Sequence, residues 1–452
     1  MKPVNSFDIF DTLITRWYKE PDSIFDRMED ILKIPRFKKI RKESQHKLGG
    51  QPTLDKIYIN VQKTLELNDI ITNVIKNLEI KLEYDMSAPI MENIRKVQED
   101  DILISDMYLP HETIVSMLAK NGIKKYDKLY LTANGKRQGT IWNSVHEKID
   151  VHTGDHVISD FRSPRENNIK AHHYTKHHFT EFEQKIDQIN TSVSRLCRLC
   201  RLQNPYSTST IEGSIWDETC RLTIPFNVFA TYNLNEYIEH NNYTRILFGN
   251  RDCYYMKKIY ESVFRNTGAD LVEYHTSRRM YYYPTTEYLE YCKNILPGSL
   301  VVDVFGTSRS YHYFINKHNF DDVHALYIVR ASFFNDFKIT HADNFFHSGG
   351  NAFNNTLEFI NYAPFGTLKS YKNGPIYSEL EYSYVHASVI EAAVTAAADL
   401  IKSGFELNVV EPNIQLKSFL NLFNMKDCKF LKYMNHVNRH DGLTLPGIDN
   451  ED

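Results

Sequence analysis

Val-Asn-Ser-Phe-Asp-Ile-Phe-Asp-Thr-Leu, residues 4–13, decides how the chain is read. Val4–Phe10 is apolar enough for a short buried strand, but Asp8 and Asp11 interrupt it and Thr12 follows. Charges are costly to bury, so acids in such a run mark the end of the strand, where open parallel sheets build their sites. Outward from there, apolar residues recur at i, i+3, i+4 and i+7 between about Pro21 and Glu99, in SIFDRMEDILKI, TLDKIYINVQKTLEL, NDIITNVIKNLEIKLEYDM and APIMENIRKVQED. That period predicts a block of helices. DILISDMYL (101–109) predicts a strand and turn, and HETIVSMLAKNG (111–122) a helix closed by Gly122. KLYLT (128–132) reads as a strand, TIWNSVHEKI (140–149) as a helix, HVIS (156–159) as a strand edge, and NNIKAHHY (167–174) leads into one more. Strands alternating with helices specify an α/β class with a parallel sheet covered on both faces, and the long helical block is an insertion after the first strand.

The chain has 452 residues, more than one ordinary core spans, so two or three domains are expected. With 42% hydrophobic and 24% charged residues it is globular in composition, and a formal charge of −4 gives no global attraction for nucleic acid or an anionic membrane. No transmembrane or secretory segment is read, so a cytoplasmic location is expected. Glycine is scarce (18), while aromatics reach 13%, with 29 Tyr and 26 Phe, which fits either aromatic-lined clefts or an AT-rich coding bias. The six cysteines are too few and scattered for a disulfide scaffold, and Cys197 and Cys200, inside RLCRLCRL, have the spacing of a helix face packed into a core. His172-His173 and His177-His178 read as solvated loop residues.

Four segments sit at predicted strand ends or helix starts: Phe7–Leu13, Leu103–Asp106, Lys136–Gly139, and Gly154-Asp155 with Asp160. A strand-end carboxylate can attack phosphorus and split one displacement into two. A hydroxyl, Ser105, and an ammonium, Lys136, can hold the transferring oxygens and offset their charge. Further acids can complete a site for Mg²⁺, which favours oxygen ligands.

In this order the four segments resemble the motifs of the haloacid dehalogenase (HAD) superfamily, over roughly residues 1–172. The resemblance implies a Rossmann-like parallel sheet, with the helices of about 17–100 as an α-helical cap of the C1 type. It implies Asp8 as nucleophile, Ser105 as the second-motif hydroxyl and Lys136 as the third-motif lysine. It implies Mg²⁺ bound by Asp8, Asp155 and the Phe10 carbonyl, with Asp160 supporting metal and lysine. One departure is that the general acid and base, usually two positions after the nucleophile, is here Phe10, and the next acid is Asp11. Asp11 or a cap residue then does the proton work, or the enzyme is slow or selective, or the domain binds phosphate without turnover. Asp11 reads equally as a turn-capping carboxylate.

After a helical connector (173–235), strands and helices alternate again over 236–378, followed by a helical C-terminal part (379–452). RILFGNRD places Arg251 and Asp252 at a strand end, and EYHTSRR does the same for Ser277, Arg278 and Arg279. LVVDVFGTSRS brings Asp303 into a small-residue loop, with Thr307 and Ser310, that opens a helix. Such a loop is an anion site because its backbone N–H groups point outward, and arginines add bidentate phosphate donors. This region resembles type I phosphoribosyltransferases, with Val302 in place of one acid of the usual pair and Ser308 in place of the loop glycine. That resemblance implies phosphoribosyl pyrophosphate (PRPP) or a nucleotide sugar held by Arg251, Asp303, Thr307 and Ser310. The pairing of both halves, with LEFINYAPFGTL (357–368), is similar to proteins encoded with surface-polysaccharide enzymes. The function expected is a Mg²⁺-dependent phosphatase acting on a sugar phosphate or glycan intermediate. The alternatives are a transferase whose C-terminal domain does the main chemistry, or a degenerate phosphate-binding scaffold.

Overall fold

In a computed structural model, two five-stranded parallel sheets carry the chain. The structure describes residues 3–50, 52–331, 342–348, 356–357, 359–379 and 384–422. Two compact units share them: residues 1–180 with 202–205, and residues 181–201 with 206–452.

In the first unit the strands are β1 (Val4–Phe7), β2 (Ile102–Asp106), β3 (Lys128–Thr132), β4 (Ile149–Gly154) and β5 (Lys170–His173), in the order β3-β2-β1-β4-β5. β2 explains why both faces are covered. Ile102, Leu103 and Ile104 are consecutive and fully buried, and successive strand residues point to opposite faces. Ile102 and Ile104 pack with Ile141 and Trp142, whereas Leu103 joins Phe7, Ile114, Met117 and Leu118 on the other side. That second cluster continues into the insertion without a break, through Ile24, Phe25, Phe37, Leu54, Tyr58 and Val61.

The insertion comprises α1 (Ser23–Leu32), α2 (Phe37–His46), α3 (Leu54–Leu65) and α4 (Asp69–Asp85). Asn68 opens α4 by accepting the Ile71 N–H at 2.9 Å. The chain enters and leaves this block through an antiparallel ribbon that pairs Ile14–Arg16 with Ser87–Pro89. At its root Arg16 donates to both Glu83 oxygens, at 2.8 and 3.0 Å. Inside the block Arg41, fully buried, makes the same fork to Glu79 at 2.8 Å, and the Tyr58 hydroxyl donates to that carboxylate at 2.7 Å.

Three local expectations are corrected. The helix expected over 88–100 is one turn, Met91–Ile94, preceded by a ribbon strand. The helix expected over 140–149 ends at Ser144, and a strand occupies Ile149–Gly154. Its polar His152 and Thr153, both buried, hid it from an apolar pattern. HVIS is not a strand: Val157–Arg162 forms a wide helical turn.

In the second unit the strands are β6 (Arg245–Gly249), β7 (Asp270–Tyr274), β8 (Ser299–Gly306), β9 (Val323–Ala331) and β10 (Ala342–Ser348), in the order β10-β9-β8-β6-β7. β10, at the sheet edge, lies in the Phe- and Asn-rich stretch 340–378, which the sequence reads as irregular. So do β11 (Leu368–Tyr371) and β12 (Pro375–Tyr377), which form an antiparallel pair. The helices between Glu181 and Asn241 belong to this unit, as do Tyr384–Lys402 and Pro412–Asn421. Cys197 and Cys200 are buried at 1% and 0% exposure, and the described cysteines are free thiols. Cys428, the tail beyond residue 422 and part of the aromatic stretch at 351–355 lie outside the described residues. Among the described residues no helix is long and apolar enough to cross a membrane.

Candidate active site

β1 is the centre of the first sheet, with β2 on one side and β4 on the other, so the chain order reverses there. That switch point opens a crevice beyond the carboxyl ends of the strands. The four segments singled out in the sequence end in it or beside it. Asp8 directly follows β1, Ser105 is the penultimate residue of β2, Lys136 lies in the first helical turn after β3, and Asp155 follows β4.

Lys136, only 2% exposed, donates from Nζ to Asp8 Oδ1 and, at 2.6 Å, to Asp160 Oδ1. Asp8, Asp155 and Asp160 each offer an oxygen within 4.8 Å of the others. Ser105 is buried at 2% exposure. Phe10, two residues after Asp8, carries the Arg16 guanidinium 4.5 Å from its ring centroid. Asp11 adopts a left-handed φ of 54°, and its Oδ1 accepts from Thr15 at 2.6 Å. A non-glycine residue held at positive φ is uncommon and is tolerated where surrounding contacts over-determine it.

Several positioning residues were not assigned a role from the sequence. Asp106 accepts from the Thr132 hydroxyl and from the Lys136 and Arg137 backbone N–H groups, at 3.1 and 3.3 Å, and so fixes the turn that carries Lys136. His152, fully buried, contacts Ser6 Oγ through Nδ1 at 2.7 Å and Asp160 Oδ1 through Nε2 at 3.2 Å. An ionised carboxylate only accepts, so the Nε2 proton faces Asp160, and Ser6 donates to Nδ1. Gly154 has a steric task, because a Cβ there would collide with the Asp160 carboxylate carbon. The signal for His152 was a histidine in a strand that is itself largely polar, which only its neighbours explain. The histidines expected on the surface divide: His177 is buried at 7% exposure, and His173 Nε2 bonds the Asp155 carbonyl at 2.7 Å.

Three carboxylates against one ammonium leave the cluster with a net charge of −2 when all are ionised. Burial, opposed by Lys136 and reinforced by Asp160, raises the Asp8 carboxyl to about 7. Burial together with Asp8, Asp11 and Asp160 raises Asp155 to about 8. Asp160 is also buried, but Lys136 and the His152 contact take it well below the ordinary carboxylate range. Burial acts against charge on Lys136, yet Asp160 and Asp8 outweigh it and hold the amine protonated. Burial keeps His152 below its ordinary value in spite of Asp160. A set of hard oxygen donors with surplus negative charge is the donor chemistry of a divalent cation site.

In the second unit Arg251, Asp303, Thr307 and Ser310 all line one cavity of about 400 Å³ at the carboxyl ends of β6, β7 and β8. Arg251 has a φ of 80°. It donates from Nη1 to Thr367 Oγ1 at 2.7 Å and stacks 4.5 Å above Tyr362. Ser308, in place of the expected loop glycine, takes the left-handed conformation at φ 61° and opens the helix Arg309–His318. The Ser310 hydroxyl meets Tyr282 Oη at 2.8 Å. No protein-family model matches the chain, and no curated protein matches it.

Proposed function

We propose that the first unit is a HAD-type phosphomonoesterase that acts on a sugar phosphate or glycan intermediate through an aspartyl-phosphate on Asp8. The observation that carries the reading is Lys136, buried between Asp8 and Asp160 at the switch point of a parallel sheet.

In this reading an Asp8 oxygen attacks phosphorus, the ester P–O bond breaks and the alcohol leaves with a proton. Water then attacks the aspartyl-phosphate, which returns the Asp8 carboxylate and releases inorganic phosphate. The Lys136 ammonium is a fixed positive charge beside the transferring oxygens, and Ser105 is the hydroxyl donor from the neighbouring strand end. Asp160, held by His152 and the His156 N–H at 3.0 Å, keeps the ammonium in place. Asp8, Asp155 and Asp160 would hold Mg²⁺, which supplies charge neutralisation for the carboxylates and the phosphoryl group. Asp11, partly exposed and close enough to raise Asp155, is the acid assigned to the leaving-group proton.

Asp8→Asn is expected to abolish phosphate release from p-nitrophenyl phosphate and from sugar phosphates with Mg²⁺ present. A wild-type protein inert on a broad phosphate panel defeats the hydrolase reading. The aromatic at position 10 favours a second reading, a domain that binds phosphate without turnover. A beryllofluoride adduct on Asp8 together with turnover eliminates it.

A further inference from the structure

We propose that the helical insertion is a fixed part of the first sheet's body and not a lid that swings on its ribbon, so that the crevice beside Asp8 keeps one shape with and without a ligand. The inference rests on packing and stands whether or not the site turns over a phosphate ester.

A helical block joined to a sheet by two adjacent strands has the connectivity of a hinged lid. Hinge motion is easy where a few backbone torsions absorb it and both bodies keep their packed interiors intact. Neither condition holds here. Leu103, Met117 and Leu118 of the sheet's body and Phe37, Ile57 and Val61 of the insertion are all 0% exposed and belong to one apolar cluster. A swing of the insertion opens that shared interior to water, against the main force that holds the fold.

Two cations pin the ribbon itself. Arg16 ends the first ribbon strand, and its guanidinium lies 4.5 Å from the Phe10 ring centroid while it forks onto Glu83 of α4 at 2.8 and 3.0 Å. One side chain thus joins the nucleophile loop, the ribbon and the insertion, with the arginine 11% and the glutamate 1% exposed. Lys120 ends the helix His111–Lys120, which follows β2. Its Nζ donates to the carbonyls of Tyr84, Asp85 and Ser87 at 2.6, 2.8 and 3.2 Å, across the last turn of α4 and the first residue of the second ribbon strand. Asn121 Nδ2 adds a bond to Ser87 Oγ at 2.9 Å. Rotation at the ribbon breaks these bonds, and bonds with a charged donor are the strong ones.

A third attachment meets the start of α3. Tyr108, two residues beyond β2, accepts the Leu54 N–H at 3.2 Å, and its ring centroid lies 4.9 Å from the Arg41 guanidinium. Arg41 is 0% exposed and paired with Glu79, one turn before Glu83 on the same face of α4. The two loops that follow Asp8 and Ser105 therefore both grip the insertion, through Phe10 and through Tyr108. Phe10 occupies the place where the family resemblance expects the general acid and base, and an aromatic there does what a carboxylate does not, stacking on Arg16.

Hydrogen exchange of the full chain, followed by mass spectrometry, tests the junction without reading turnover. Peptides 53–58 and 84–93 contain the Leu54 amide, bonded to the Tyr108 carbonyl, and the Ile90 amide, bonded to the Leu13 carbonyl. In EDTA both are expected to exchange within about ten-fold of the β2 peptide 102–106, and to keep that rate when Mg²⁺ and beryllofluoride are added. Lys120→Met, at an exposed position, and Arg16→Met combined with Glu83→Gln, which leaves no buried charge alone, are each expected to speed exchange in 84–93 about ten-fold and leave 102–106 unchanged. The inference is overturned if either junction peptide of the wild type exchanges more than about ten-fold faster than 102–106, if Mg²⁺ with beryllofluoride slows either by about ten-fold or more, or if neither variant speeds 84–93. A protein inert on phosphate esters changes none of these outcomes, so failure of the phosphatase reading is seen separately.

Discussion

Replacing Lys136 by methionine keeps the length of the side chain and removes the ammonium that faces Asp8 and Asp160. The lysine side chain is 3% exposed and the two carboxylates 7% and 1%, so water cannot screen what is left behind. Removing one partner of a buried pair costs about 3–5 kcal/mol, most of it the penalty of an uncompensated charge. The size of the loss depends on pH, and its sign follows from linkage. Without the lysine, Asp160 loses the neighbour that lowers it most, and Asp8 and Asp155 are already raised to about 7 and about 8 with it present. A carboxylate whose folded pKa lies above its unfolded value favours folding at low pH and loses that contribution as pH rises through the interval between the two values. Urea unfolding of Lys136→Met is therefore expected to show a deficit of about 3–5 kcal/mol at pH 8 and roughly half of that at pH 5.5, where the carboxylates protonate instead of repelling. Millimolar Mg²⁺ should recover part of the loss at pH 8. A deficit below about 1 kcal/mol at pH 8, or one of equal size at both pH values, refutes the buried-charge account of this site.

The wild-type protein in EDTA is expected to lose stability as pH rises from about 4 towards 8, because Asp8 and Asp155 titrate at about 7 and about 8 when folded against 3.8 ordinarily. Mg²⁺ should flatten that slope, and urea midpoints that do not move with pH count against it. Gly154→Ala drives a methyl group into Asp160, so the proposed phosphatase activity should fall on the order of 10²-fold with the far-ultraviolet circular dichroism unchanged. In the helical insertion, Arg41→Met should cost about 3–5 kcal/mol in urea unfolding, whereas Arg41→Met combined with Glu79→Leu should recover most of it, because no buried charge is then left alone.

The sequence reading reached furthest where local chemistry and position agree. Asp8 and Ser105 could be placed at strand ends because short apolar runs stop there and a polar group follows. It failed where burial depends on partners. β4 was missed because His152 and Thr153 are polar, and they are tolerable inside only because Ser6 and Asp160 complete the histidine. β10 was missed because an edge strand rich in Asp, Asn and His carries little apolar signal. Asp106 follows Ser105 in the sequence, but its task, capping the turn that bears Lys136, depends on Thr132 and on the neighbouring strand.

The α/β class, the helical insertion and the residue types available for chemistry were determined by the sequence alone, because periodicity and strand-end polarity are local properties. The tertiary structure decided which of those residues meet. Lys136 reaches Asp8 across 128 positions because β1 is the centre of the sheet and β3 lies two strands away from it. The raised carboxyls of Asp8 and Asp155 exist only once the three acids share one buried crevice. Charge density and burial are properties of the packed chain, and no stretch of its sequence carries them.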